Sequence, residues 1–208
     1  MLHYETVEPR TLALLKRLMR MEALADHALV GGTALSLRYG HRISVDLDLF
    51  TDDPMDTETI KRALAEEFGD SLTYLEDQQA KWAIFGFIDD IKVDIIHIPH
   101  ARIADLVIED GLRMYSDDDI GPMKVQAILH RAQKKDFWDI EKLLEVHGVD
   151  KLLKDHRKKY SKNIYAISLP RALNYFVDAE DSEAPVCLKD RTWEEIKDSI
   201  GKISNGYL

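Results

Sequence analysis

The chain has 208 residues, 45% of them apolar, with 28 Lys and Arg against 38 Asp and Glu and a formal net charge of −10. This composition excludes disorder as the overall state, and the acidic total argues against duplex-DNA binding through a generally basic surface. A single Cys187 excludes an intramolecular disulfide and a Cys-based zinc site, and no apolar run approaches the roughly 20 residues that span a bilayer, so a cytoplasmic protein with no membrane partner is expected.

Over residues 7–26, Leu12, Leu15, Leu18, Met19 and Leu24 recur at helical spacing and predict an amphipathic helix. Residues 28–30 read as a short strand ended by Gly31 and Gly32, and Thr33 opens a helix over 34–39 that Gly40 closes. Residues 44–50 alternate polar and apolar, predicting a strand with Ser44, Asp46 and Asp48 on one face and Val45, Leu47 and Leu49 on the other. A turn ending in Pro54 leads into a helix over 56–68. Strands follow over 71–76, 80–88 and 91–98, the last two joined by a tight Asp89-Asp90 hairpin, with Trp82, Phe85 and Phe87 read as core.

Beyond Pro99 helical periodicity takes over, with helices over 122–133, 136–147, 150–160, 170–177 and 192–203. The fold class is therefore α/β, with a mixed sheet and flanking helices in residues 1–100 and a mostly helical domain in residues 101–208 that completes a cleft. Residues 177–189, acidic and carrying Pro185, read as a mobile loop.

The segment richest in chemistry runs from Val30 to Phe50. Asp46 and Asp48, two apart on an extended strand, point the same way about 7 Å apart and can share a cation. Gly31, Gly32 and Thr33 offer close backbone approach, the free amides of a helix N-terminus and a hydroxyl, which together make a phosphate cradle. Arg42 is suited to phosphate oxygens or to pairing with one of the acids. On the strand over 91–98, Lys92, Asp94 and Ile96 share a face, and if that strand lies beside the Asp46/Asp48 strand, three carboxylates converge on a site suited to Mg²⁺. In the helix after Pro122, Lys124, Arg131 and Lys135 fall near one face, which is either solvated or turned toward a polyphosphate. Asp136 has two readings, helix cap or site residue, and the basic run at 157–159 is solvated or steers an RNA.

This pattern resembles the AbiEii/AbiGii toxin-like family of the nucleotidyltransferase superfamily, related to the MenT toxins. The resemblance rests on Gly32-Thr33, Asp46/Asp48, Lys92/Asp94, Asp119/Lys124 and Asp136, in that order, over about half the chain. It departs at Thr33, where Ser is usual, although a hydroxyl is kept. The resemblance implies transfer of a nucleoside monophosphate from an NTP to an acceptor, dependent on Mg²⁺ or Mn²⁺ held by Asp46, Asp48 and Asp94. Lys124 would join these acids in catalysis, while Gly32, Thr33, Arg42, Ser44, Lys124 and Asp136 would bind the nucleotide. It further implies the toxin of a toxin–antitoxin or phage-defence pair, a cognate antitoxin protein, and an acceptor that is a tRNA 3′ end, a protein hydroxyl or a small molecule. Two alternatives stand beside it, an antibiotic-type small-molecule nucleotidyltransferase and a non-catalytic module that binds a nucleotide or a partner.

Overall fold

A computed structural model describes residues 1–75, 77 and 80–207. Seven strands form one mixed sheet: β1 (Ala28–Leu29), β2 (Leu47–Thr51), β3 (Leu72–Tyr74), β4 (Ala83–Ile88), β5 (Ile91–His97), β6 (Val107–Glu109) and β7 (Leu112–Met114). Their order across the sheet is β3-β4-β5-β2-β1-β7-β6. The pairs β2/β5 and β1/β7 are parallel and the others antiparallel. Among the described residues seven α-helices accompany the sheet: α1 (Pro9–Leu18), α2 (Gly31–Tyr39), α3 (Thr57–Phe68), α4 (Asp117–His130), α5 (Lys134–Lys159), α6 (Leu169–Leu173) and α7 (Trp193–Ser204).

The local rules are visible at the element ends. Pro9 opens α1, where its missing N–H costs nothing. Asp56 caps α3 by accepting from the amides of Glu58 and Thr59, and Thr192 and Glu195 form a reciprocal capping box at α7. Asp89 and Asp90 both take positive φ, the backbone that joins β4 to β5 in a two-residue hairpin. Gly148, at φ +77°, breaks α5 into the two helical stretches read from the sequence as 136–147 and 150–160.

Several expectations change. The helix expected over 7–26 stops at Leu18, and Glu22–Leu24 forms a separate 3₁₀ turn. Glu76, the end of the strand expected over 71–76, lies outside the described residues. Trp82 is 54% exposed rather than core. The helical reading beyond Pro99 overlooks the β6–β7 hairpin, turned at Asp110 and Gly111 with both φ positive, so the sheet takes in residues past the boundary expected at 100. The chain also breaks at 131–133, where Ala132 has φ +41°, and this separates Arg131 and Lys135 from the single helical face expected with Lys124.

Two apolar cores follow. One gathers the sheet with α1, α2 and α3 around Leu15, Leu29, Leu35, Leu47 and Leu64. The other lies among α4 to α7 around Val125, Phe137, Ile140, Leu173 and Ile196, with Trp138 and Trp193 stacked at 5.5 Å. Between them, α2 packs on α4 and α5, which brings the glycine turn at the head of α2 against the first residues of α5.

Candidate active site

β2 and β5 run parallel in a register that sets Asp48 opposite Asp94. Neighbouring strands present paired residues on the same face, so the two carboxyls stand side by side. The head of α2 closes over them. Val30 donates its amide to the Asp48 carbonyl at 2.9 Å, and a Cβ added to Gly31, itself at φ +69°, would sit 2.7 Å from Asp48 Oδ2.

Burial, then the charge of Asp94, pushes the Asp48 carboxyl up to about 6 against the pull of Lys124 and Lys92. Asp94 is buried. Its Oδ2 accepts from Lys92 Nζ, while Oδ1 is buried with no partner among the described residues. Two adjoining acids, one with an orphaned oxygen, fit a hard divalent cation such as Mg²⁺ or Mn²⁺.

Asp46 stands outside the register that pairs Asp48 with Asp94. The ladder begins only at Leu47, because the Asp46 carbonyl accepts from the Thr33 hydroxyl and the Ser44 amide donates to the Thr6 carbonyl. Released from the strand, Asp46 turns its carboxylate to Lys135 Nζ at 3.4 Å, and Val45, expected on the apolar face, is exposed. Accordingly, no group of three or more His, Cys, Asp or Glu among the described residues is set to hold a metal ion. What the structure brings together is the pair Asp48/Asp94, with Asp46 beside it and engaged by a lysine.

Beneath the acids lies a buried charge network. Asp139, fully buried, accepts from Arg42 Nε at 2.7 Å and Nη2 at 2.8 Å, and its oxygens lie 2.8 Å from His41 Nε2 and 2.6 Å from Lys124 Nζ. Lys124 also donates to Asp136 at 3.0 Å, and Arg131 reaches Asp136 at 3.2 Å. Burial alone would raise both aspartates, but Arg42 and Lys124 hold Asp139 well below the ordinary carboxylate range, and Lys124 and Arg131 lower Asp136. Burial likewise opposes the charge on Lys124, and Asp139 and Asp136 outweigh it, so its ammonium is raised.

This network reassigns several residues. Arg42 pairs with Asp139 on α5 and not with the Asp46/Asp48 strand. Gly32 is there for Arg42: a Cβ would fall 1.9 Å from its Nη2. Thr33 is buried and spends its hydroxyl on the Asp46 carbonyl and on Ser44 Oγ at 2.8 Å, so it anchors the loop that delivers the acids. Asp136 is not a cap, since Gln133 holds that position. Asp119 supports the fold from elsewhere, accepting from Lys159 Nζ at 2.6 Å and from the amides of Ile103 and Ala104.

A cavity of about 480 Å³ opens beside Asp46, walled by the loop from Arg42 to Asp46, by Gln133 and Lys135, and by the segment from Ser182 to Val186. That last wall belongs to the stretch expected to be mobile. Instead it is strapped down, with Ile43 donating to the Val186 carbonyl at 2.9 Å, Leu188 donating to the His41 carbonyl at 3.0 Å, and Ser182 Oγ accepting the Lys134 amide at 2.8 Å.

Sequence reasoning missed Asp139 and this strap, and it named Lys135 only as part of a basic face with Lys124 and Arg131. Asp139 was visible only as an acid one helical turn past Asp136, and nothing local announces partners on α2's following loop.

The sequence profile of the family described as nucleotidyl transferase AbiEii toxin, type IV toxin–antitoxin system, matches residues 13–202. An uncharacterized Aquifex aeolicus protein, aq_aa25, is 32% identical over 200 residues, which cover 93% of this chain and 94% of that protein. JHP933 from Helicobacter pylori superposes with a TM-score of 0.57 at 19% identity, covering 96% of this chain and 92% of its own. An H. pylori chain assigned as a nucleotidyltransferase gives a TM-score of 0.58 at 18% identity, covering 95% and 94%. Both superpositions establish the fold.

Proposed function

Since this chain belongs to the AbiEii family of nucleotidyl transferase toxins, we propose that it moves a nucleoside monophosphate from an NTP to an acceptor hydroxyl, with loss of the hydroxyl proton and release of pyrophosphate, using a divalent cation held by Asp48 and Asp94. The observation that carries this reading is the register of those two acids on β2 and β5, with Asp94 Oδ1 buried and unpartnered. When bound there, Mg²⁺ or Mn²⁺ would neutralise triphosphate charge and acidify the acceptor hydroxyl.

The chain's own groups then divide the work. Asp94 Oδ1, the oxygen not engaged by Lys92, is the atom that would hold the cation with Asp48. Lys135 leaves Asp46 for the incoming phosphates, which frees the Asp46 carboxylate to face the site. Lys124, fixed by Asp136 and Asp139, supplies a preorganised positive charge behind the reacting phosphate without reaching it. Arg42 and Thr33 hold the loop through which Asp46 and Asp48 are aligned. A toxin role with a cognate antitoxin is part of the proposal, as is an acceptor on the tRNA 3′ end, a protein or a small molecule.

The test is incubation of the protein and of Asp48→Ala with each α-³²P-labelled NTP, Mg²⁺ and total RNA, followed by separation of RNA, protein and small molecules. Label in one fraction that is absent with the variant establishes transfer and names acceptor and base. Equal label from Asp48→Ala, or from Asp94→Ala, would remove the assignment.

A further inference from the structure

Two cavities border the same residues, Tyr160 and Ser161, which follow the end of α5. One, of about 420 Å³, lies between the loop that follows β5 and the turn after α5, and is lined by His100, Arg102, Lys158, Lys159 and Lys162. The other, of about 650 Å³, is lined by His156, Arg157, Tyr165 and Tyr207. The chain carries 38 acidic residues, yet none lines either cavity.

The basic cleft is built and not merely decorated. Lys159 is buried, pairs with Asp119 at 2.6 Å and donates to the Ala101 carbonyl at 3.2 Å, while Lys158 donates to the Ile103 carbonyl at 3.1 Å. Asp119 in turn accepts the amides of Ile103 and Ala104, so the two walls are tied by one network. Arg102 is anchored to Asp52 at 2.7 Å. Those pairs neutralise Arg102 and Lys159 and leave Arg157, Lys158 and Lys162 with no carboxylate partner among the described residues. A local excess of positive charge in a concave site attracts phosphate against the acidic background of the whole chain.

The adjoining cavity supplies the other half of a nucleotide's chemistry. His156 packs against Tyr160 and Tyr165 with ring centroids 5.2 and 5.3 Å away, and His100 meets the Tyr160 ring at 4.8 Å. Gln126 joins His156 Nε2 at 2.7 Å and the Tyr165 hydroxyl at 2.6 Å, fixing these rings as a wall. Aromatic side chains with an arginine at the rim provide faces for a planar base, as single-strand binding surfaces do.

We propose that this double cavity is a second ligand site that takes a nucleoside phosphate, the phosphate on Lys158 and Lys162 and the base against Tyr160 and Tyr165. The ligand is either a free nucleotide or a nucleotide within an RNA strand. Neither cavity shares a lining residue with the cavity beside Asp46, and neither is lined by Asp48 or Asp94, so the site does not depend on the catalytic reading.

The test uses the full chain carrying Asp48→Ala, in EDTA, to silence the first site, with AMP, a six-nucleotide oligo(A) and inorganic phosphate titrated separately by calorimetry. Two variants are added to that background: Lys158→Glu with Lys162→Glu, which reverses exposed charges, and Ser161→Trp, which fills the shared rim. Binding of AMP that falls at least tenfold in both variants supports the site with a free nucleotide as ligand. Binding of oligo(A) alone, with the same loss, supports it with RNA as the source. No binding, binding untouched by either variant, or phosphate bound as tightly as AMP and oligo(A) would overturn it.

Discussion

Asp48 on β2 stands in register with Asp94 on β5, so two carboxyls share one face at the centre of a seven-stranded sheet. Because burial and Asp94 push Asp48 up to about 6 from an ordinary 3.8, the folded state binds more protons than the unfolded one between those values. Stability therefore falls as pH rises through that window and stays reduced above it. Asp48→Asn should unfold at higher denaturant than the parent at pH 7.5, by up to about 3 kcal/mol, and the difference should vanish near pH 4. By the same logic Mg²⁺ should raise the parent's Tm at pH 7.5, less at pH 5, and leave Asp48→Asn unchanged. A variant equal to the parent in urea titrations at pH 7.5 would show that burial and Asp94 do not raise the Asp48 carboxyl.

Gly32→Ala offers a sign test. On helix propensity alone, Ala in place of Gly inside α2 should stabilise by about 1 kcal/mol. The added Cβ would instead fall 1.9 Å from Nη2 of the buried Arg42 guanidinium, which is held to Asp139 through Nη2 and Nε. We expect a lower unfolding midpoint and a loss of transferase activity of at least tenfold, since Arg42 must leave its seat.

Asp139→Ala strips the shared partner from Arg42, Lys124 and His41, all buried. Leaving such charges uncompensated costs roughly 3–5 kcal/mol, so the variant should melt far below the parent. Equilibrium unfolding checks it, and a loss under 1 kcal/mol would mean the network contributes little.

Thr33 gives a pair of variants with opposite outcomes. Thr33→Ser keeps the hydroxyl that meets the Asp46 carbonyl and should keep activity within a few-fold. Thr33→Val buries an unsatisfied carbonyl and the Ser44 hydroxyl, costing about 1–3 kcal/mol and lowering kcat by misplacing Asp46. Steady-state kinetics on the two variants separates them.

The acids were legible in the sequence because strand alternation is local: Asp48 and Asp94 each announce a face within their own few residues. Their meeting needed only the pairing of β2 with β5. Asp46 stands outside the ladder although the alternation of 44–50 runs through it, because Thr33, 13 residues upstream, takes the Asp46 carbonyl. Asp139 was beyond reach, since its partners Arg42 and His41 lie 97 and 98 residues away and helical periodicity says nothing of them. The β6–β7 hairpin was hidden by strands of three residues each, although Asp110-Gly111 is the dipeptide that such a turn favours.

The pairing of Ile43 with Val186, and of His41 with Leu188, joins the loop before β2 to a segment that translation reaches only late. A ribosome that has made the sheet and both acids has still not made the residues that hold this loop in place. Synthesis interrupted before position 186 would release a fragment with its carboxylates present and their approach unfinished.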